Sequence, residues 1–314
     1  MLHSRLEAAP FDPEDLQGLR ARVNAETGGG YAAFRNALEP DYRKVRRDIA
    51  AGYATLVATL ALVGVAGVAA VPIGAVAIGF VIAYLQLFIH EAAHFGLAAD
   101  RDFNDRFADR LICWQVGTDI ASYRATHWEH HRSLGGSGDT EVSYRNRVSA
   151  GFVASMLTGL HALRVFTSRE AAPKTSKSAS KRPLLRGVAI HSALLAVLVA
   201  VGWWPAAVAW VGGMGIVFPF FATMRQLLEH RPCASDGGAT AVNRLFGDDM
   251  FSRIFGGAGF NRHMLHHLEP QVSYTRLAEL EAFLMNTSAR AELDARRSTY
   301  WSAFRALARS DRHA

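Results

Sequence analysis

A run without charge limits the fold of this chain more than any other feature. Residues 49–89, from Ile49 to Ile89, contain no Asp, Glu, Lys, Arg or His across 41 positions. As helix they would extend about 60 Å, roughly two crossings of a ~30 Å hydrocarbon core. Pro72 and Gly74 near the middle mark a turn between two spans. A second run, Gly187 to Met224, has 38 residues and one ionisable group, His191. Trp203, Trp204 and Pro205 sit at its midpoint, like an interfacial turn. Two buried helices of a soluble core are the alternative, but charge-free runs of this length are rare in soluble chains. The expectation is an all-α integral membrane protein with four transmembrane helices, at about 50–70, 74–95, 186–203 and 206–227.

The remaining composition narrows the class. The first span begins too late for a signal peptide, and no cleavage site follows a short apolar run. Cys113 and Cys233 are the only cysteines, too few for a disulfide framework or an iron–sulfur cluster. The net charge of +6 is placed for membrane orientation, not for nucleic acid. Eight basic residues precede the first span, with Arg43, Lys44, Arg46 and Arg47 packed against it. Arg169, Lys174, Lys177, Lys181, Arg182 and Arg186 lie between the two hydrophobic pairs, and the turns at Pro72 and Pro205 carry no charge. The positive-inside rule then places both termini and the central segment in the cytoplasm.

Residues 148–163 are apolar but too short to span, and read as an interfacial helix at about 149–165. Residues 167–185 read as a linker, and 276–309 as amphipathic helix. The chain divides into N-terminal interfacial helices over 1–48 and a main domain over 49–314, whose C-terminal part, 228–314, is cytoplasmic.

Thirteen histidines carry the chemical signal. His90 and His94 form H-E-A-A-H at the end of the second span. His127, His130 and His131 form H-W-E-H-H. His263, His266 and His267 form H-M-L-H-H, and His230 follows Glu229 after the fourth span. On a helix, positions i, i+3 and i+4 share one face, so each cluster points its imidazoles one way. His3, His161, His191 and His313 stand alone and receive no ligand role. Imidazole suits Fe, Zn, Cu and Ni, so ligand type does not name the metal. One zinc uses about four ligands; two metal ions with four or five imidazoles each would use the whole set. H-E-A-A-H also matches the zinc-protease signature with Glu91 as base, but a protease has no use for the other two boxes. A ferritin-like site needs a second Glu-x-x-His pair, and none is present. A transporter would be expected to carry ionisable groups through its spans, where only His191 lies deep.

The arrangement resembles the membrane fatty acid desaturase superfamily, from about Ile89 to Leu277. H-E-A-A-H-F-G is similar to the first histidine box. T-H-W-E-H-H-R with G-D-T-E at 138–141 is similar to the second, and N-R-H-M-L-H-H-L-E-P to the third. R-Q-L-L-E-H, Arg225 to His230, resembles the extra histidine element of bacterial members. The resemblance implies a four-span fold, a cytoplasmic helical cap with a histidine-rich di-metal site, two iron ions and a bacterial inner-membrane location. Its ligands would be His90, His94, His127, His130, His131, His230, His263, His266 and His267. In some relatives an asparagine one turn before the fourth-element histidine meets a metal through water; here that position is Gln226, and the role is not transferred.

An alkyl C–H bond has no acidic proton, so general-base catalysis cannot open it, whereas reduced iron with O2 can. The expected reaction is desaturation of a fatty-acyl chain, with hydroxylase, ketolase or acetylenase chemistry as the alternative on the same scaffold and a zinc membrane hydrolase as a distant one. The substrate would be a lipid or acyl thioester. With no redox motif in the chain, an external ferredoxin or cytochrome donor is implied. Metal-bound histidines need hydrogen-bond acceptors behind them. The candidates are Asp105, Asp139, Glu141, Glu229 and Glu269, with Asn104 and Asn261 weaker. Arg225 could instead pair with Glu229 at i, i+4.

Overall fold

The computed structural model describes residues 13–141, 143–171, 180–231 and 243–310. His3, His313, Cys233, Lys174, Lys177 and the middle of the linker lie outside them. The described chain is all-helical apart from one two-residue parallel bridge, Leu245–Phe246 with Arg297–Ser298. Four helices are long and apolar enough to cross a membrane: Tyr42–Ala66, Val68–Ala93, Arg182–Ala200 and Trp204–His230. By its internal contacts the chain forms two units.

The span unit comprises Val45–Arg124 and Ser149–Met224. Its main helices are α3 (Tyr42–Ala66), α4 (Val71–Ala93), α9 (Arg182–Ala200), α10 (Trp204–Gly212) and α11 (Phe218–His230); α5 (Arg101–Leu111) and the start of α6 (Ile120–Ser133) follow α4. Helix α3 begins inside the basic stretch because nothing there breaks a helix, and Asp41 caps it by accepting from Lys44 N at 2.9 Å. Pro72 stands in the first turn of α4, where its missing N–H costs nothing. A five-residue π turn, Gly213–Val217, joins α10 to α11. It packs tightly on α4: a Cβ on Gly79 would stand 2.5 Å from Val217 Cβ, and one on Gly213 would stand 2.8 Å from Ile78 Cγ2. Leu62, Val65, Ile73, Val76, Val197 and Val211 are exposed, the outward apolar surface that lipid requires. The stretch around 149–165 forms two helices, α7 (Ala150–Leu157) and α8 (Leu160–Ala171). They break at Gly159, whose φ of 73° leaves the helical region.

The histidine unit comprises Met1–Lys44, Ala125–Val148 and Arg225–Ala314. It contains α1 (Pro13–Glu26), α2 (Gly30–Asn36), the rest of α6, the end of α11, α12 (Met250–Phe255) and α13 (His263–Leu268). The expected C-terminal amphipathic helix is three helices: α14 (Leu277–Leu284), α15 (Arg290–Ala295) and α16 (Tyr300–Ser310). Thr287 and Asn286 turn their side chains onto the Leu284 and Ala282 carbonyls where α14 ends. The core packs Leu16, Leu19, Val23 and Tyr31 of the N-terminal helices with Met264, Leu265, Leu268 and Leu280. Helix α13 is thus two-faced: its apolar residues enter this core and leave 263, 266 and 267 on the other side.

Candidate metal centre

In the histidine unit, seven imidazoles converge from three helices. His127, His131 and His266 form one group and His130, His230 and His267 a second, and within each the ligand atoms lie within 4.8 Å of one another. Nε2 of His131 is 3.0 Å from Nε2 of His127 and 3.1 Å from that of His266. Nε2 of His263 is 3.0 Å from that of His230 and 3.1 Å from that of His267. Two nitrogens bonded at ~2.1 Å to one ion lie about 3.0 Å apart at a right angle and about 3.4 Å apart in a tetrahedron. The spacing therefore suits ions with more than four ligands. Glu229 offers a carboxylate oxygen within 4.8 Å of the His230 and His263 ligand atoms.

The electrostatics agree with metal binding. Burial holds His127 below the usual imidazole range. Burial, reinforced by neighbouring imidazoles, holds His263 and His267 well below it. These rings stay neutral near pH 7, the state a metal ligand needs. His130 differs. Burial would lower it, but the Glu141 and Asp139 carboxylates outweigh burial and raise it. Its Nδ1 donates to Asp139 Oδ1 at 2.8 Å, which leaves Nε2 buried without a hydrogen-bond partner. A ring pinned in this way aims a lone pair inward.

Asp139 is the best-supported carboxylate behind a candidate ligand. Besides His130 it accepts from Glu141 N at 2.8 Å, Gly135 N at 3.1 Å and Tyr144 Oη at 2.5 Å. Burial and Asp139 push the Tyr144 phenol up, so it remains a donor. Glu141 lies 3.8 Å from His127 Nδ1 and accepts from Gln226 Nε2 at 3.0 Å. Although burial opposes it, His130 and His127 hold the Glu141 carboxyl far below its usual range.

The other candidates do different work. Glu229 lies 3.5 Å from Arg225 Nε, the i, i+4 pair read from sequence. Arg225 also donates to the Phe255 carbonyl at 2.7 Å. Asn261 donates to Gly247 O at 3.2 Å and Asp248 Oδ1 at 3.1 Å. Glu269 accepts from Tyr31 Oη at 2.8 Å and Arg35 Nη1 at 3.3 Å, tying the third box to the N-terminal helices.

In the span unit, His90 and His94 stand one turn apart at the end of α4, ring centroids 5.2 Å apart. Asn104 and Asp105 act on the helix that carries them. Asn104 Nδ2 donates to Ala92 O at 3.0 Å. Arg124 Nε donates to Ala93 O at 3.0 Å and its Nη2 to Ala92 O at 3.1 Å, while Asp105 holds the guanidinium. These donors satisfy carbonyls that a helix end leaves open. Gly96, in H-E-A-A-H-F-G, leaves the space that the Glu91 carboxylate fills. His191 is satisfied structurally: Nε2 donates to Gln115 O and Nδ1 accepts from Trp210 Nε1, each at 3.1 Å. His161 packs edge-on to Phe152.

Sequence reasoning missed Tyr144, Arg124 and Arg244, and it named Gln226 without giving it the role of holding Glu141. Arg244 donates to Leu228 O at 2.8 Å and Arg231 O at 2.5 Å, capping α11 just past His230. Of the three that were missed, only Arg124 had a local signal, standing three residues before His127.

A comparison with curated proteins finds no match. The family model described as fatty acid desaturase matches residues 66–301, a stretch that contains every histidine discussed as a ligand. With well over half of its length matched, the chain belongs to the fatty acid desaturase family.

Proposed function

We propose that the protein is a membrane di-iron oxidase that uses O2 and external electrons to desaturate a fatty-acyl chain. The carrying observation is the convergence of Nε2 atoms at 3.0–3.1 Å among the seven histidines of the histidine unit, His131 with His127 and His266 and His263 with His230 and His267, within a chain of this family. The proposed ligands are those seven histidines together with His90 and His94. A bound pair of reduced irons supplies the power to activate O2 and remove hydrogen from an unactivated C–H bond.

The protein's own residues prepare that site. Asp139 fixes the His130 tautomer and raises its basicity, and Tyr144 and the Gly135 amide hold Asp139 in place. Glu141, oriented by Gln226, sets its negative charge beside His127 and balances part of the metal charge. Burial of His127, His130, His230, His263, His266 and His267 keeps water away from the reacting region. Arg124 and Arg244 fix the ends of the ligand-bearing helices α4 and α11. The basic segments at the termini and between the span pairs favour a cytoplasmic site in a bacterial inner membrane. An apolar tail would enter among the spans, with a lipid or thioester head outside. The stoichiometry is two hydrogens from the substrate, two electrons from the donor and two protons from solvent, reducing O2 to two waters.

The test is purified protein, metal analysis and product mass. Two irons per chain and a product lighter by two hydrogens are expected. One zinc without iron would refute the oxidase reading, and a product heavier by one oxygen would replace desaturation with hydroxylation.

A further inference from the structure

Two helices of the histidine unit turn large apolar side chains outward. On α12, Met250 is 78% exposed, and Phe251 and Ile254 are exposed beside it. On α16, Trp301 is 59% exposed, and Phe304 is exposed one turn further on. The two helices meet at Tyr300. Its buried ring lies 3.8 Å from that of Phe246 and 4.8 Å from that of Phe255, with Phe251 edge-on at 6.3 Å. Ala303 and Leu307 complete the inward side of α16. Trp301 and Phe304, stacked at 5.8 Å, therefore widen the apolar face beyond what packing uses. Single apolar residues at a surface are ordinary, but five on two helices joined through one aromatic cluster mark an interaction site.

The height of α12 is fixed by a hydrogen bond. Arg225 is the first charged residue after the apolar run that ends at Met224. It donates to Phe255 O at 2.7 Å, and its guanidinium lies over the Phe260 ring at 5.0 Å. The last turn of α12 is thereby held at the level where a membrane span ends. The rim of the patch is basic. Arg305 lies over the Trp301 ring at 4.9 Å and has no carboxylate partner among the described residues. Arg253 is well exposed and only 3.9 Å from Asp248. The acids nearby are engaged: Asp248 pairs with Arg262, and Asp249 caps α12 by accepting from Ser252 N at 3.0 Å. Tryptophan with arginine at this level is the composition of a membrane interface.

We propose that α12 and α16 form a membrane-insertion patch. Met250, Phe251, Ile254, Trp301 and Phe304 enter the acyl boundary of a phospholipid leaflet, and Arg253 and Arg305 pair with lipid phosphates. The histidine unit then grips the bilayer through its own surface, in addition to the four spans. Height decides for lipid over a second protein. A patch bonded to the end of a span meets headgroups and the upper acyl chains, and interfacial helices bury their apolar face about 5–10 Å deep there. The proposal needs the spans in a bilayer; it does not depend on the metal or the reaction.

The test uses the full chain with Cys113→Ala and Cys233→Ser, one chain per phospholipid nanodisc. An environment-sensitive fluorophore is attached at Ile254→Cys, at Trp301→Cys, or at Arg290→Cys on exposed α15 as control. Spin-labelled phospholipid, with the label near the top of the acyl chain, is the quencher. Leu62→Cys, on the exposed side of α3, reports the spans themselves. Size-exclusion profiles establish that each variant is folded. Quenching at 254 and 301 should exceed that at 290 at least about twofold, and Ile254→Glu should reduce quenching at 301. Quenching at 62 with none above the control at 254 and 301 overturns the proposal. So does a blue shift at 254 and 301 that appears only when two chains share a disc, because a second copy would then cover the patch. Absence of quenching at 62 as well would defeat the membrane reading, and the patch would fall with it.

Discussion

Replacing Asp139 by Asn changes one atom and tests how the centre is held. The carboxylate accepts four hydrogen bonds, from His130 and the Glu141 amide on Oδ1 and from Tyr144 and the Gly135 amide on Oδ2. An asparagine that keeps its oxygen toward His130 must set its NH2 against the Gly135 N–H, a clash of donors, and Tyr144 must reverse its hydroxyl. One bond is lost and the others lose their charge. A bond to a charged group contributes about 1.5–3 kcal/mol and a neutral one about 0.5–1.5 kcal/mol, so the site should lose about 2–4 kcal/mol of stability. The share felt by the metal follows from His130, whose inward Nε2 depends on this partner. A lost partner behind a ligand weakens metal binding about 10–100-fold. The assay is iron(II) titration against a competing chelator, with thermal unfolding of the metal-free protein alongside. Tyr144→Phe, which removes one of the four donors, should show about 1 kcal/mol of the same effect. Wild-type iron affinity in Asp139→Asn would refute the argument that this carboxylate orients His130.

Further outcomes follow from other parts of the molecule. His266→Ala or His130→Ala should abolish turnover and lower the iron bound per chain, read by metal analysis; full activity in either would remove that residue from the ligand set. Folding holds His127, His263 and His267 below the usual imidazole value, so the unfolded chain binds more protons below about pH 6.5. His130 shifts the opposite way and offsets part of this. The metal-free protein should therefore melt progressively lower from pH 7.5 to 5.5, and a flat curve would contradict the burial argument. Arg124→Met removes the side-chain donor to the Ala93 carbonyl and one of the donors to the Ala92 carbonyl, which Asn104 still reaches, and should cost about 1–3 kcal/mol, seen as a lower melting temperature. Gly79→Leu would drive side-chain atoms into Val217 and the Gly213 carbonyl and should cut the yield of folded protein, read by size-exclusion chromatography.

Much of this was legible in the sequence because it is local. A charge-free run has a length, and length against the thickness of a bilayer makes spans; four apolar helices are present where two such runs lie. Histidines at i, i+3 and i+4 share a face whatever the rest of the chain does, and α6 and α13 each present three of them. The two helices at Gly159 and the three after Leu277 were harder, because their apolar periodicity continues across the breaks.

Tertiary structure decided which polar groups stand behind the histidines. Asp105, Asp139, Glu141, Glu269 and Asn261 all looked alike in sequence, each a few residues from a histidine. Only Asp139 makes a close hydrogen bond to one, because the 135–141 turn folds its carboxylate back onto His130 Nδ1. Asp105 and Asn104 reach helix-end carbonyls and an arginine, and Glu269 reaches Tyr31 from more than two hundred positions away. Arg244 caps α11 from beyond a long connection, with no motif to announce it. A hydrogen bond depends on where two chain segments cross, and spacing along one segment carries no information about the other.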